Sequence, residues 1–288
     1  MAAIEMLATI FAVAVLVKLA GAPRRPDRWG ACGHERCHGP LMSRSALAVG
    51  GASLLLLLSP VGAWAGRPLE TEDAGTEEPA KASLELGGEY ADNPADDSGT
   101  FQGVLSVGLL PRVEARVESE ALWLDPEGER GRAGIGDSLF GIKYRPVDEA
   151  ARWPAVLGSL TVRLPTGDEE RDLGDNEVDV GLLAVVSKRV GLIRLTWNGG
   201  YTFVTRDRDL EFWTFDAAVE YGVVPAWIVV AEAVSQVGTE SEPDTVVLRV
   251  GSVYAISGRV DLDGAVGVGV TRESPDVSVT VGVTIKLF

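Results

Sequence analysis

Cysteine and histidine are nearly absent from this sequence of 288 residues, which has two of each, all between positions 32 and 38. The rest of the chain therefore cannot form disulfides, bind zinc through thiolate or imidazole, or use either residue type in catalysis. The cluster itself, Cys32-Gly-His-Glu-Arg-Cys37-His38, departs from the C-x-x-C-H spacing of c-type haem attachment and lacks a second ligand pair. We predict no cofactor and no metal site.

A nucleophile with an activating base is also missing. Ser138, Ser159 and Ser235 have no evident partner in the sequence. We therefore predict that the protein is not an enzyme.

Positive charge is scarce, with 26 Lys and Arg against 42 Asp and Glu and a net charge of −16. There is no Lys/Arg-rich run, and so acidic a chain has little with which to neutralise phosphates. Nucleic acid is excluded as an expected partner.

Long apolar runs are confined to the N-terminus. After Ala65 none approaches the ~20 residues that a helix needs to span a bilayer, which excludes a helical membrane protein. The run at 46–58 follows Arg44 and leads to Ala63-Trp64-Ala65, the order of a secretory signal peptide. We predict a signal peptide at 42–65 and a mis-assigned upstream extension at 1–41; an N-terminal membrane anchor is the alternative.

Polar and apolar residues alternate through most of the remaining chain. In one segment Val113, Ala115 and Val117 share a face opposite Glu114, Arg116 and Glu118. Each such segment has 10–12 residues, which fits the ~9–11 of a tilted transmembrane strand better than the ~5–6 of a soluble one. The predicted strands are 83–92, 101–110, 113–123, 135–145, 155–164, 177–188, 192–203, 212–223, 227–237, 245–256, 260–270 and 277–287.

The connections and the aromatic residues indicate a membrane. Longer connections alternate with tight ones, as in bacterial barrels with long outer loops and short periplasmic turns. Most aromatic residues fall at strand ends, where amphipathic rings would form two girdles. We predict an all-β protein in which residues 82–288 form an antiparallel up-and-down transmembrane β-barrel of about 12 strands in the outer membrane of a Gram-negative bacterium.

Three short motifs resemble one known family. They are Gly134-Ile135-Gly136-Asp137, Val162-Arg163-Leu164-Pro165-Thr166-Gly167-Asp168 and Asn198-Gly199-Gly200-Tyr201, followed by Glu232 in the next hairpin. In order and spacing they resemble the outer-membrane transporter family annotated under the MetA pathway of phenol degradation, from about Leu105 to the C-terminus. The resemblance implies an outer-membrane barrel that passes small molecules, including aromatic or apolar ones. It brings no agreed site residues.

The terminal Phe288 resembles the signal read by the barrel assembly machinery, which we expect as a partner together with outer-membrane lipid and a small-molecule solute. Here the apolar positions of the last strand are offset by one residue from that signal, because Lys286, Thr284 and Gly282 occupy the alternate places counted back from Phe288.

If the apolar faces meet lipid, the polar faces line the lumen. Lumen-facing candidates are Glu114, Arg116, Glu118, Glu120, Asp137, Lys143, Arg163, Asp179, Arg194, Asp216, Glu220, Glu232 and Arg249. The same faces add Glu85, Glu89, Glu177, Asp261 and Asp263 and the bases Arg145 and Lys286. Thirteen acids against seven bases favour cations or neutral solutes in an open pore.

Two interpretations of the lumen stay open. A passive channel for small molecules is preferred, and a structural barrel with a closed, charge-filled lumen is the alternative. The acidic segment 66–81 is expected to be mobile in the periplasm rather than to enter the lumen as a partial plug.

Overall fold

The computed structural model describes residues 66–94, 96–126, 130–168, 171, 173–174, 177–240 and 243–288. The predicted extension 1–41, the predicted signal peptide 42–65 and the Cys/His cluster lie outside the described residues. Within the described residues no helix is long and apolar enough to cross a membrane.

Thirteen β-segments pair antiparallel into one closed sheet. They are β1 (Ala82–Asp92), β2 (Asp96–Leu110), β3 (Val113–Pro126), β4 (Arg132–Ile135), β5 (Ser138–Val147), β6 (Ala155–Leu164), β7 (Asp179–Val190), β8 (Ile193–Val204), β9 (Phe212–Val224), β10 (Trp227–Gly238), β11 (Thr245–Ala255), β12 (Val260–Gly269) and β13 (Val277–Lys286). Apart from the short β4, which pairs only with β3, each segment pairs with the segments before and after it around the barrel, and β1 pairs with β13, which closes the barrel. Segments β4 and β5 both pair with β3 and form one interrupted strand, so the barrel has the predicted twelve strands.

The interruption falls at Gly136 and Asp137, where the sequence predicted a continuous strand. Residues 121–124 of β3 pair with β4, and residues 113–118 pair with β5. Between them the Gly136 N–H donates to the carbonyl of Glu120 at 2.9 Å. The backbone ladder is interrupted at this point, where the Asp137 side chain binds a loop, as described below.

The two faces of the sheet differ as the alternation predicted. Val117, Phe140, Leu160 and Trp197 are between 40 and 49% exposed on the outside, whereas Glu114, Lys143 and Glu232 are buried on the inside. A continuous apolar exterior around a polar interior is the inverse of a soluble fold, and it indicates that lipid surrounds the barrel.

We call the end that carries Ala82 and Lys286 the inner end and the opposite end the outer end. Near the outer end Tyr201 packs edge-on against Phe203 and Trp213, with ring centroids 4.8 and 4.6 Å apart. This cluster is part of the predicted outer girdle.

The connections follow the expected alternation with two exceptions. One is the seven-residue connection 148–154, which joins β5 to β6 at the inner end. Turns of two residues join β2 to β3 and β7 to β8 at the inner end, and the long segment 165–178 joins β6 to β7 at the outer end. The first outer connection was predicted to span 93–100, but β2 begins at Asp96 and pairs with β1 as far as Asp92, so this hairpin is short.

Candidate functional site

The segment 66–81, here called the luminal segment, lies inside the barrel. It contacts Glu85 of β1, Arg116 of β3, Ser187 of β7 and Thr280 of β13, which stand on widely separated parts of the circumference. Only a segment enclosed by the sheet can reach all of them. This position differs from the periplasmic one that the sequence favoured.

The luminal segment enters from the inner end. The Ala80 N–H donates to the carbonyl of Gly108 at 2.9 Å, and Pro79 forms an isolated bridge with the same residue. A Cβ at Gly108 would lie 2.0 Å from the carbonyl oxygen of Glu78, so only glycine permits this approach. The Glu77 N–H then donates to the buried carboxylate of Glu114 at 2.7 Å.

Glu72 holds the segment to one wall. Its carboxylate lies 2.6 Å from the Arg116 guanidinium and also binds the Lys143 ammonium. Burial opposes ionisation of Glu72, but Lys143 and Arg116 outweigh it and lower the pKa of Glu72 below its usual value. Glu72 is therefore a buried carboxylate with two cationic partners.

Asp73 binds the adjoining wall. Its carboxylate lies 2.7 Å from Arg194, whose guanidinium is also 3.6 Å from Glu220. Burial raises the pKa of Asp73 while Arg194 opposes that shift. The neighbouring Ala74 N–H donates to the Ser187 hydroxyl at 3.0 Å.

Glu232 and Arg249 form the third attachment. The Glu232 carboxylate accepts hydrogen bonds from the backbone N–H of Thr71 at 2.9 Å and from its hydroxyl at 2.7 Å. Arg249 lies 3.1 Å from Glu232, 2.5 Å from Glu70 and 3.3 Å from Glu89. The buried charges of Glu232 and Arg249 are thus paired, as a low-dielectric interior requires.

Six other predicted lumen residues contact residues of the barrel or its outer loop instead of the luminal segment. Glu118 accepts from Gln102 and lies 3.6 Å from Arg116. Glu120 lies beside Gly136, and Asp216 accepts from the Ser235 N–H at 3.2 Å. Arg163 and Asp179 are 3.8 Å apart near the outer end, where Asp137 accepts from the Gly167 N–H.

The luminal acids Glu70, Glu72 and Asp73 were not among the sequence candidates. A segment outside the strands has no alternation to show which way its side chains point. The available signal was its acidity, which suits the bases Arg116, Lys143, Arg194 and Arg249 of the walls.

Space remains on both sides of the segment. One cavity of about 350 Å³ lies between it and β3, with Gln102, Glu118 and Lys143 in its wall. Another of about 360 Å³ is lined by Glu89, Ser98 and Thr100, on the outer side of Arg67. Both linings are polar, which suits water and polar solutes.

Comparisons with known proteins agree with this architecture. A family model described as "Putative MetA-pathway of phenol degradation" matches residues 65–287. No curated protein matches the sequence.

Among solved structures, the COG4313 outer membrane channel from Pseudomonas putida F1 is similar, with a TM-score of 0.63 and 13% identity over 76% of this chain and 100% of that one. The NanC porin has a TM-score of 0.54 and 12% identity, covering 71% and 100%. The KdgM porin in complex with disordered oligogalacturonate has a TM-score of 0.52 and 11% identity, covering 72% and 99%. At these identities the likeness concerns the fold, a closed barrel of the kind seen in outer-membrane channels and porins.

Proposed function

The chain belongs to the family described under the MetA pathway of phenol degradation, and we propose that it is a passive outer-membrane channel for small molecules. One observation carries the proposal. The wall of the barrel is complete without the luminal segment, because every neighbouring pair of strands is joined by its own backbone ladder. The segment can therefore move without opening the wall.

The route runs along the charged lumen, past the luminal segment. Cavities already lie on both sides of it. Ion pairs between side chains, such as Glu72 with Lys143, hold the segment. Water can solvate both members of each pair once the segment moves. The channel is closed while the luminal segment occupies the lumen, and it conducts when the segment is displaced.

The lumen favours solutes that carry charge or hydrogen-bonding groups. A wholly apolar molecule would leave residues such as Glu118 and Arg116 without partners along its path. The family description names phenol degradation, and a phenol carries a hydroxyl group that these residues can bind.

A structural barrel with a permanently closed lumen is the second candidate. It is favoured by the number of attachments, since the luminal segment is held by Glu72, Asp73 and Thr71 to three parts of the wall. On this alternative the segment braces the barrel and does not leave.

A reversible tether separates the two candidates. Beyond residue 37 the chain has no cysteine, so the pair Ala74→Cys and Ser187→Cys introduces a single disulfide where the two residues are already in contact. We expect low conductance in planar bilayers when the pair is oxidised, and higher conductance after reduction. Single-cysteine variants control for the substitutions. If the reduced protein stays silent while a protein lacking residues 66–81 conducts, the segment is a fixed brace and the structural candidate is right.

The proposal includes no catalysis and no nucleic acid partner. The three similar structures named above are an outer membrane channel and two porins, and the expected partners are lipid, the barrel assembly machinery and a small solute. Incubation of the purified barrel with lipid or ester substrates should release no product.

A further inference from the structure

Arg67, near the start of the luminal segment, fills a depression in the barrel wall. Gly87 of β1 is paired with Gly282 of β13, and Gly282 is paired in turn with Asp263 of β12. Paired residues of neighbouring strands share a face, so the three residues form one row across the inside of the wall. Two adjacent glycines leave that row without side chains at its centre.

The guanidinium of Arg67 occupies this space. A Cβ at Gly87 would lie 1.8 Å from its central carbon, and a Cβ at Gly282 would lie 2.2 Å from its Nε. Any larger residue at either position would displace the guanidinium. The two glycines are therefore the floor of a socket shaped for a flat group.

Acceptors surround the same space. One terminal nitrogen of Arg67 donates to the Thr280 hydroxyl and, at 2.9 Å, to the carbonyl of Val281. These acceptors match the in-plane donors of a guanidinium, which are fixed in direction.

Asp263 completes the socket, and Arg67 does not satisfy the hydrogen-bonding capacity of its carboxylate. The side chain is 1% exposed and lies 3.6 Å from the Nε of Arg67. Neither carboxylate oxygen has a hydrogen-bond partner among the described residues. A buried carboxylate left in this state is costly, and a cation that sits closer than Arg67 would satisfy it.

We propose that the socket formed by Gly87, Gly282, Thr280, Val281 and Asp263 is a binding site for small guanidinium-type cations, which compete with Arg67 for it. Arg67 acts as a tethered ligand with a high local concentration, so a free cation binds mainly when Arg67 has left. A cationic solute that enters from the outer cavity would replace Arg67 and release that end of the luminal segment.

Replacement of Arg67 by alanine empties the socket for a probe. Ligand-observed NMR with ethylguanidinium on the detergent-solubilised barrel should detect saturable binding to Arg67→Ala, with a dissociation constant in the millimolar range. We expect binding to the wild-type protein to be about tenfold weaker or more, because Arg67 competes. Arg112→Ala, which removes an exposed arginine paired with Asp148 at the inner end, should bind like the wild type. Tetramethylammonium has no N–H donors and should not bind.

Two further variants test the socket itself in the Arg67→Ala background. Asp263→Asn should weaken ethylguanidinium binding about tenfold, since one charge-assisted contact is lost. Gly282→Ala should abolish binding by filling the floor, and the heat-dependent gel mobility of each variant shows whether it has folded. Equal binding by Arg67→Ala and wild type, no binding by either, or indifference to Asp263→Asn would each overturn the proposal. The binding assay needs no conduction, so its result is independent of the channel function proposed above.

Discussion

The Asp137 carboxylate accepts a hydrogen bond of 2.8 Å from the backbone N–H of Gly167. Asp137 stands at the break between β4 and β5, and Gly167 lies in the outer connection between β6 and β7. The Asp168 N–H also donates to the carbonyl of Ile135 at 3.3 Å. Two of the three sequence motifs that carry the family resemblance, Gly-Ile-Gly-Asp and Pro-Thr-Gly-Asp, are thus hydrogen-bonded to each other, and together they fasten the longest outer loop to the wall.

Loss of this fastening should loosen the loop. In Asp137→Ala the Gly167 N–H loses its acceptor at a partly buried position, which costs ~1–3 kcal/mol. Hydrogen exchange measured by mass spectrometry should therefore be about tenfold faster or more in peptides covering residues 165–168. Ser138→Ala is the matched control, because its hydroxyl reaches the same loop through Thr166 but is exposed. Equal protection in Asp137→Ala and the wild type would contradict the role of Asp137.

The strands were predictable and the luminal segment was not, for one physical reason. Period-two alternation places β3 and β13 within a few residues of their observed bounds, because a transmembrane strand must keep one apolar face along its whole length. The break at Gly136 and the luminal position of Glu72 depend on contacts between distant parts of the chain, Asp137 with Gly167 and Glu72 with Lys143. No local pattern records such contacts.

The orientation of the barrel can be tested by labelling, since the chain has no cysteine beyond residue 37. Arg171 lies in the outer loop with its side chain 59% exposed, and Arg189 lies near the tight inner turn between β7 and β8. On intact cells Arg171→Cys should react with an impermeant maleimide and Arg189→Cys should not. Both should react after the outer membrane is permeabilised. The opposite pattern on intact cells would reverse the orientation.

Glu72 should control how long the channel stays closed. In Glu72→Gln, Lys143 and Arg116 lose their shared partner but keep Glu114 and Glu118 respectively. Breaking a buried ion pair typically costs ~3–5 kcal/mol. Because both bases keep a partner, the free energy that favours the closed state should fall by an amount at or below the lower end of that range. The measurement is the open fraction in single-channel recordings, which should rise at least tenfold. Glu78→Gln changes an exposed acid of the same segment and should have no effect; if the two variants behave alike, Glu72 does not hold the segment.

Removal of the leader should occur before Gly66. Ala63 and Ala65 are the small residues that signal peptidase requires, and this site stays a prediction because it borders residues outside the described part. N-terminal sequencing of membrane-extracted protein should give Gly-Arg-Pro-Leu. A stable product that begins near Met1 would contradict processing and support the anchor.

Substitutions on the two faces of β3 test whether lipid surrounds the barrel and whether ions pass through its lumen. Val117 is 40% exposed on the outside, and its neighbour Glu118 points inward, where it lies 3.6 Å from Arg116. Arginine in place of Val117 would face hydrocarbon and should cost ~2–4 kcal/mol in a bilayer if it lies near the midplane. Urea titration of the barrel folded into vesicles measures that loss, and Val117→Leu, which keeps the surface apolar, should cause little change.

Glu118→Lys should leave folding nearly intact, because it exchanges one lumen-facing charged residue for another beside the cavity at β3. It should instead move the reversal potential of the open channel toward anion preference, since charges that line a pore set its ion selectivity. The same substitution removes a partner of Arg116, so Glu118→Gln is the control that separates loss of the acid from gain of a base. The reversal potential should shift in the order wild type, Glu118→Gln, Glu118→Lys. If the barrel conducts but its reversal potential is the same for all three residues at this position, the ion path does not pass β3. If none of the three proteins conducts, even after removal of residues 66–81, the structural barrel is the remaining candidate.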